Sequence, residues 1–294
     1  MMYVEKKEVS ESPEQPIVIG IDTIRWVVPK DGLMSWLQKQ ELTLNVYGDT
    51  PYKSQNLKSK VDNAKYKFVG VVHFGTYPYS LNKTIVVTMS NELAKSKKSK
   101  YYRIELAGLH QPHKDNIAKV TYQMIADLNK KYKIHEVDLA IDFESMHRVK
   151  KQTIIDVFGH KASEIRTQYG TTFYFNGIGS NDVVLYNKSD KILASNDKHK
   201  IDGYGDNHGF HWLRLEIPLD LKLPKVTLSG IVVLEKVQHY NRKFLEIISN
   251  FAKESILEQY IHKLQSVVKT ILSYDFLDRQ LLRMTDNRCK LPFY

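Results

Sequence analysis

Three polar clusters in the second half of the chain have the residue types of a reactive site. "VDLAID" places Asp138 and Asp142 four residues apart. On a strand such positions share a face, so both carboxylates point the same way while Val137, Leu139 and Ile141 take the other. "WLRLEI" puts Arg214 and Glu216 on one face as well. Two like charges side by side on a sheet are costly unless neutralised, and a divalent cation would do it. Three carboxylates with open positions, Glu216 being the third, suit Mg²⁺ or Mn²⁺ rather than zinc. The same residues also read without a metal, as solvent-facing acids or as partners of Arg214. "NDVVLYNKSDK" ends an apolar run on Tyr186, with Lys188 two residues on. A phenol with a pKa near ~10 attacks as the phenolate and needs a basic or metal-bound setting. Lys188 and Arg214 would add positive potential there.

Tyr174 in "TTFYFNG" is the alternative nucleophile. Alternation places it with Thr172 and Asn176, opposite Phe173 and Phe175. It has no Lys or Arg on its face within two residues, which Tyr186 has. His73 and His110 are further ligand candidates, although a lone histidine is more often structural. Tyr77 and Tyr79 in "TYPYS" are candidates for stacking on bases. The turn-rich "DGYGDNHG" (202–209) lacks the oxygen spacing of a calcium loop.

These clusters lie on strands that occur twice in the same order. Period-2 apolar patterns cover 17–28, 66–76, 83–92 and 101–109, then 135–145, 170–178, 181–190 and 211–219. "RIEL" answers "RLEI", "VVTMSN" answers "VVLYNK" and "GID" answers "AID", which sets Met89 opposite Tyr186. Helical spacing appears at 115–134 and again at 149–165, the latter read as the matching helix of the second pass. The expected fold is α+β: a duplicated unit of antiparallel sheet plus helix, followed by a helical region. Its parts are a polar tail (1–16), a first half (17–114), a second half with the site (115–221) and two or three helices within 222–294. Those helices read either as a cap completing the core or as a DNA-positioning or dimerising module.

The chain has 294 residues and a net charge of +10, from 43 Lys and Arg against 33 Asp and Glu. That excess points to a polyanion, with nucleic acid first and an anionic membrane second. Basic residues alternate with aromatics in "KSKKSKYYR", where Lys97, Lys98 and Lys100 are candidates for phosphate contact. One cysteine, Cys289, excludes a disulfide framework and a cysteine-based zinc site. No apolar run reaches the ~18 residues of a membrane span, and no leader pattern opens the sequence. The expectation is a soluble cytoplasmic protein without a membrane partner.

"VDLAIDF", "TTFYFNGIGSNDVVLYNKSDK" and "WLRLEI" together resemble the core of the replication initiation factor family. These are the rolling-circle initiators of small plasmids, relaxases of conjugative elements and initiators of some filamentous phages. The resemblance spans roughly residues 135–220. Asn187 replaces the acidic residue usual after the tyrosine, and no His-hydrophobe-His metal motif is present; "HQPH" (110–113) is a distant echo. The resemblance implies metal-dependent, strand-specific nicking and rejoining of DNA. Tyr186 would be joined to the 5′-phosphate, leaving a free 3′-OH. It implies single-stranded or supercoiled origin DNA, a host helicase and a second copy of the chain as partners. No P-loop pattern appears, consistent with rejoining that needs no ATP. The competing expectation is a DNA-binding regulator of a plasmid or phage that keeps the fold without the chemistry, and charge alone leaves RNA open as the ligand.

Overall fold

The structure is a computed structural model that describes residues 17–46, 66–75, 83–90, 100–110, 119–145, 148–159, 163–167, 170–175, 182–194, 211–221 and 228–272. The first half contributes β1 (Ile17–Pro29), α1 (Lys30–Lys39), β2 (Asn45–Val46), β3 (Tyr66–His73), β4 (Thr84–Ser90), β5 (Tyr101–Leu106) and α2 (Lys119–Lys131). The second contributes β6 (Ile134–Ser145), α3 (Lys151–Phe158), β7 (Ser163–Thr167), β8 (Gly170–Phe175), β9 (Val183–Asn187), α4 (Lys188–Ala194) and β10 (His211–Asp220). Then come α5 (Leu228–Ile248) and α6 (Glu254–Leu272).

All ten described strands join one antiparallel sheet, in the order β2-β3-β4-β5-β1-β6-β10-β9-β8-β7. The two longest strands, β1 and β6, pair at its centre. Outward from that pair the strands read 5-4-3-2 on one side and 10-9-8-7 on the other. Two sheets, one per half, were expected; the central pairing makes one, because each half offers its long first strand to the other and neither leaves an open edge there.

Alternation gives the sheet two unlike faces. Ile19, Ile21, Ile24, Trp26, Leu139, Ile141, Phe143, Leu213, Leu215 and Ile217 point into one core with Leu33 and Leu37 of α1, Ile125 and Leu128 of α2, and Phe244 and Ile248 of α5. Val267 and Ile271 of α6 join the same core, so both described C-terminal helices contribute to it. The opposite face carries Arg25, Glu136, Asp138, Asp142, Arg214 and Glu216, at alternate positions of the same strands. No described helix is long and apolar enough to cross a membrane.

Helix placement departs from expectation at three points. The stretch 149–165 is not one helix: α3 stops at Phe158 and β7 follows. The stop is Gly159, which caps the helix at φ 86°, a conformation glycine adopts without steric cost. The helix matching α3 in order is α1, which follows the first strand of its own half; its apolar residues Leu33, Trp36 and Leu37 keep helical spacing around Gly32. The helix expected over 115–134 is described from 119 to 131, with Lys130 and Lys131 in its last turn, where cations favour the helix dipole.

Candidate active site

The ladder brings the singled-out residues of the second half into register. Arg214 on β10 lies opposite Asp142 on β6 and Tyr186 on β9, and Thr172 on β8 continues the row. The same row of the first half is Val27–Arg103–Thr88. With Arg103 set against Arg214, two of the other expected correspondences fail. Thr88, not Met89, stands where Tyr186 does, and "GID" is out of register with "AID", since Asp142 corresponds to Val27. The charged row is confined to the second half.

Arg214 is the centre of the site and is fully buried. Its Nε and Nη2 donate to the two Asp142 oxygens, each at 2.6 Å, a bidentate pairing. Its Nη1 donates to Asp22 Oδ1 at 2.8 Å and its Nη2 to the His110 carbonyl at 3.1 Å. Burial acts to raise the Asp142 pKa, but the adjoining guanidinium outweighs it and holds the carboxyl well below the usual range. Asp22 is also depressed: burial opposes ionisation, and Lys188 and Arg214 together prevail.

Asp22 and His110 enter the site from outside the clusters read in the sequence. The β1–β6 register shifts between Ile21 and Thr23, so Asp22 sits at an irregularity that turns its side chain toward Arg214. His110 lies across β1 with Nε2 3.0 Å from Asp142 Oδ2. Its ring occupies the space a side chain on Gly20 would need: an added Cβ would come within 2.1 Å of His110 Nδ1. The sequence marks His110 only as a candidate metal ligand, and its signal for Asp22 is one acid in an apolar strand near a glycine.

Tyr186 is 2% exposed. Its hydroxyl donates to Glu216 Oε1 at 2.6 Å and accepts from Lys188 Nζ at 3.5 Å. Lys188 is the first residue of α4 rather than a strand residue, yet it reaches the expected neighbour. Lys191, one helical turn on, places Nζ 4.3 Å from the Tyr186 ring centre. Burial, reinforced by Glu216, pushes the phenol pKa well above its ordinary value. Burial and then Arg214 lower the Lys188 pKa to about 8, against the pull of Asp22 and Glu216. The site thus holds a phenol whose hydroxyl donates to a carboxylate and accepts from a lysine, beneath a lysine-bearing helix. Tyr174 is on the same face and half-buried, its pKa raised by burial and by Glu216.

The three expected metal ligands do not form a shared cage. Asp142 is taken up by Arg214, and Glu216 accepts from Tyr186. Asp138 belongs to a second cluster, where Arg25 Nη1 and Nη2 reach its two oxygens at 2.5 and 2.6 Å. Arg25 also donates to Glu105 at 2.7 Å and Glu136 at 2.9 Å. Arg103 shares those acids, so three carboxylates face two guanidinium groups. Burial raises the Asp138 pKa to about 6, and Glu216 and Glu136 add to it, even though its contacts with Arg25 oppose the shift. A guanidinium that occupies both oxygens of an aspartate already supplies the positive charge a cation would bring, so these residues do not fit Mg²⁺ or Mn²⁺ as a set. Among the described residues no three His, Cys, Asp or Glu side chains are grouped to hold a metal ion.

The remaining candidates are dispersed. His73 on β3 is hydrogen-bonded to Thr84 at 3.0 Å, four strands from β6 and so roughly 19 Å from that strand at ~4.8 Å per step. Lys100 is exposed just before β5. Lys97, Lys98, Tyr77, Tyr79, Asn176 and the 202–209 segment lie outside the described residues.

No protein-family model matches the chain, and no curated protein matches it.

Proposed function

We propose that the chain is a cytoplasmic rolling-circle replication initiator or relaxase that nicks and rejoins one DNA strand through Tyr186. The observation that carries this reading is the Glu216–Tyr186–Lys188 group beside Arg214, in a row whose first-half counterpart is Val27–Arg103–Thr88. A nucleophile with its base at hydrogen-bond distance is the arrangement covalent catalysis needs. Tyr186 Oη attacks the phosphorus and its proton passes to Glu216. The bond from phosphorus to the 3′ oxygen breaks, leaving a 5′-phosphotyrosine and a 3′-OH, with Lys188 the nearby proton donor for the departing oxygen. Arg214 does not touch the substrate in this scheme; its four hydrogen bonds tie the strand it shares with Glu216 to Asp142, Asp22 and the His110 carbonyl.

The mirrored strand order and the two Arg-x-Glu strands in one ladder position support a duplicated unit, of which the second copy carries the chemistry. The first half, with the basic and aromatic residues around Lys100, then serves DNA binding. A divalent cation, a host helicase and a second copy of the chain remain part of the proposal. The cation is not assigned to Asp138, Asp142 and Glu216.

A second reading has its own support. The depth of Tyr186 and the pairing of both aspartates with arginines suit a DNA-binding regulator that keeps the site as structure. Incubation with single-stranded or supercoiled DNA and Mn²⁺, followed by a denaturing gel, separates the two. A protein–DNA adduct supports the nicking enzyme; binding with no adduct on any substrate supports the regulator.

A further inference from the structure

Tyr186 is buried, yet one face of its ring is occupied by a side chain that is not. Lys191 is exposed, and its Nζ stands 4.3 Å from the centre of that ring. Lys188 belongs to the same helix, one turn earlier, so both lysines lie on one side of α4. They meet the phenol at different points. Lys188 Nζ is 5.9 Å from the ring centre and donates to the hydroxyl oxygen at 3.5 Å. After burial and Arg214, Lys191 adds to the lowering of the Lys188 pKa, the mark of two like charges close enough to repel. Asp22 feels both lysines, Lys188 more strongly.

The cations of the site differ in what they can do. Arg214 is committed through four hydrogen bonds to Asp142, Asp22 and the His110 carbonyl. Lys188 is buried and directed at the phenol oxygen. Lys191 carries its ammonium at the surface on a flexible four-carbon stem, held over the ring by a cation–π contact. At an exposed position that contact is weaker than a charge-assisted hydrogen bond to a phosphate oxygen, so an anion arriving at Tyr186 draws the ammonium off the ring. Glu216 beside the phenol repels such an anion, and an approaching cation offsets it. We propose that Lys191 is a substrate-contacting residue: it covers the Tyr186 ring in the free protein and moves onto a non-bridging oxygen of the phosphodiester that the phenol meets. The same movement uncovers the ring, so recruitment of the phosphate and access to Tyr186 are one event. Lys191 makes and breaks no covalent bond; its ammonium balances charge that gathers on the phosphoryl oxygens. The proposal rests on the nicking reading for what the phosphate undergoes, but not for the binding of the anion.

The ring current of Tyr186 reports the position of Lys191 directly. In the full chain with isotope-labelled lysine, the Lys191 ε-methylene protons are expected upfield of an uncovered lysine, and their loss in Lys191→Gln assigns them. Dimethyl phosphate, an anionic diester with no base, is expected to move them saturably to the ordinary lysine position. Trimethyl phosphate, a neutral ester of similar shape, leaves them in place. In the adduct assay on single-stranded DNA, Lys191→Ala is expected to slow adduct formation about tenfold to a hundredfold, the worth of one charge-assisted hydrogen bond, and Lys191→Arg to restore most of it. An ε-methylene signal at the ordinary position without ligand overturns the proposal, as does one unmoved by dimethyl phosphate at the highest concentration the folded protein tolerates. Trimethyl phosphate acting as well as the anion overturns it too, and so does a faster adduct in Lys191→Ala, which would make the lysine a cover only. An adduct at the wild-type rate in that variant ends the part of Lys191 while Tyr186 stands. If the signal responds as expected and no adduct forms on any DNA, the nicking reading fails and the phosphate contact stands.

Discussion

Replacing Arg214 with methionine keeps much of the side-chain volume and removes the charge. In the intact site this guanidinium makes four hydrogen bonds within 3.1 Å, three of them to carboxylate oxygens. Without it, Asp142 is a fully buried carboxylate with no guanidinium beside it, and Asp22 loses the donor 2.8 Å from its Oδ1. Breaking one side of a buried ion pair costs about 3–5 kcal/mol, mainly through the charge left behind. Arg214→Met is therefore expected to lose about 4 kcal/mol at neutral pH in urea unfolding. The loss should depend on pH with a definite sign. In the wild type the Asp142 pKa is depressed, so its stabilisation is present above the unfolded value near ~4 and is lost as pH falls through the folded value. In the variant burial acts without opposition and raises that pKa, so the buried acid takes up a proton as pH is lowered and the penalty shrinks. The difference between the two proteins should be smaller at pH ~4.5 than at pH ~7. Adding Asp142→Asn to Arg214→Met should recover part of the loss, as a coupled pair does. A loss below ~1 kcal/mol, or one identical at both pH values, would refute the view that Arg214 neutralises a buried acid cluster.

Three further outcomes follow from the same geometry. Gly20→Ala should destabilise by about 1–3 kcal/mol and displace His110, since the added methyl overlaps the ring; a melting temperature equal to wild type would count against that packing. Asp138 has a folded pKa near 6, above its unfolded value of ~3.9, so the folded protein holds extra protons between those limits and stability falls as pH rises from ~4 to ~6, by up to about 3 kcal/mol. Asp138→Asn should flatten that slope, leaving the smaller part from Glu144, which burial also raises to about 6; an unchanged slope in thermal melts from pH 4 to 6.5 contradicts it. DNA affinity should drop on the order of a hundredfold between ~50 and ~200 mM salt if about four phosphates are neutralised, and a flat salt titration would remove nucleic acid as the partner.

Eight strands of the sheet were legible because alternation survives in a sequence whenever one face is apolar, as in "VDLAID" and "WLRLEI". β2 and β7 were not: two residues are too few to show a period, and the start of β7 lay inside a stretch read as helix. α1 was missed for a related reason, its three core residues being spread around Gly32 in only ten positions. In the candidate site, the shared face of Asp138 and Asp142 and the neighbourhood of Tyr186 and Lys188 could be read from spacing. Partner choice could not. Whether Asp138 meets Arg25 or a metal depends on which strand lies beside β6, and the β1–β6 pairing joins residues more than a hundred positions apart. Asp22 shows the same limit, since the irregularity in β1 that aims it at Arg214 leaves no mark in "GIDTIRW" beyond one acid among apolar residues.

Tyr186→Phe removes one oxygen from a buried ring and breaks one hydrogen bond to Glu216, a change worth about 1 kcal/mol in stability. The measurement is mass spectrometry of peptides from an adduct trapped on single-stranded DNA, with Tyr186→Phe and Tyr174→Phe run alongside the wild type. The account predicts nucleotide on the Tyr186 peptide, no adduct from a folded, DNA-binding Tyr186→Phe protein, and an adduct from Tyr174→Phe. Nucleotide on Tyr174 or on a first-half tyrosine, or an undiminished adduct from Tyr186→Phe, would contradict it.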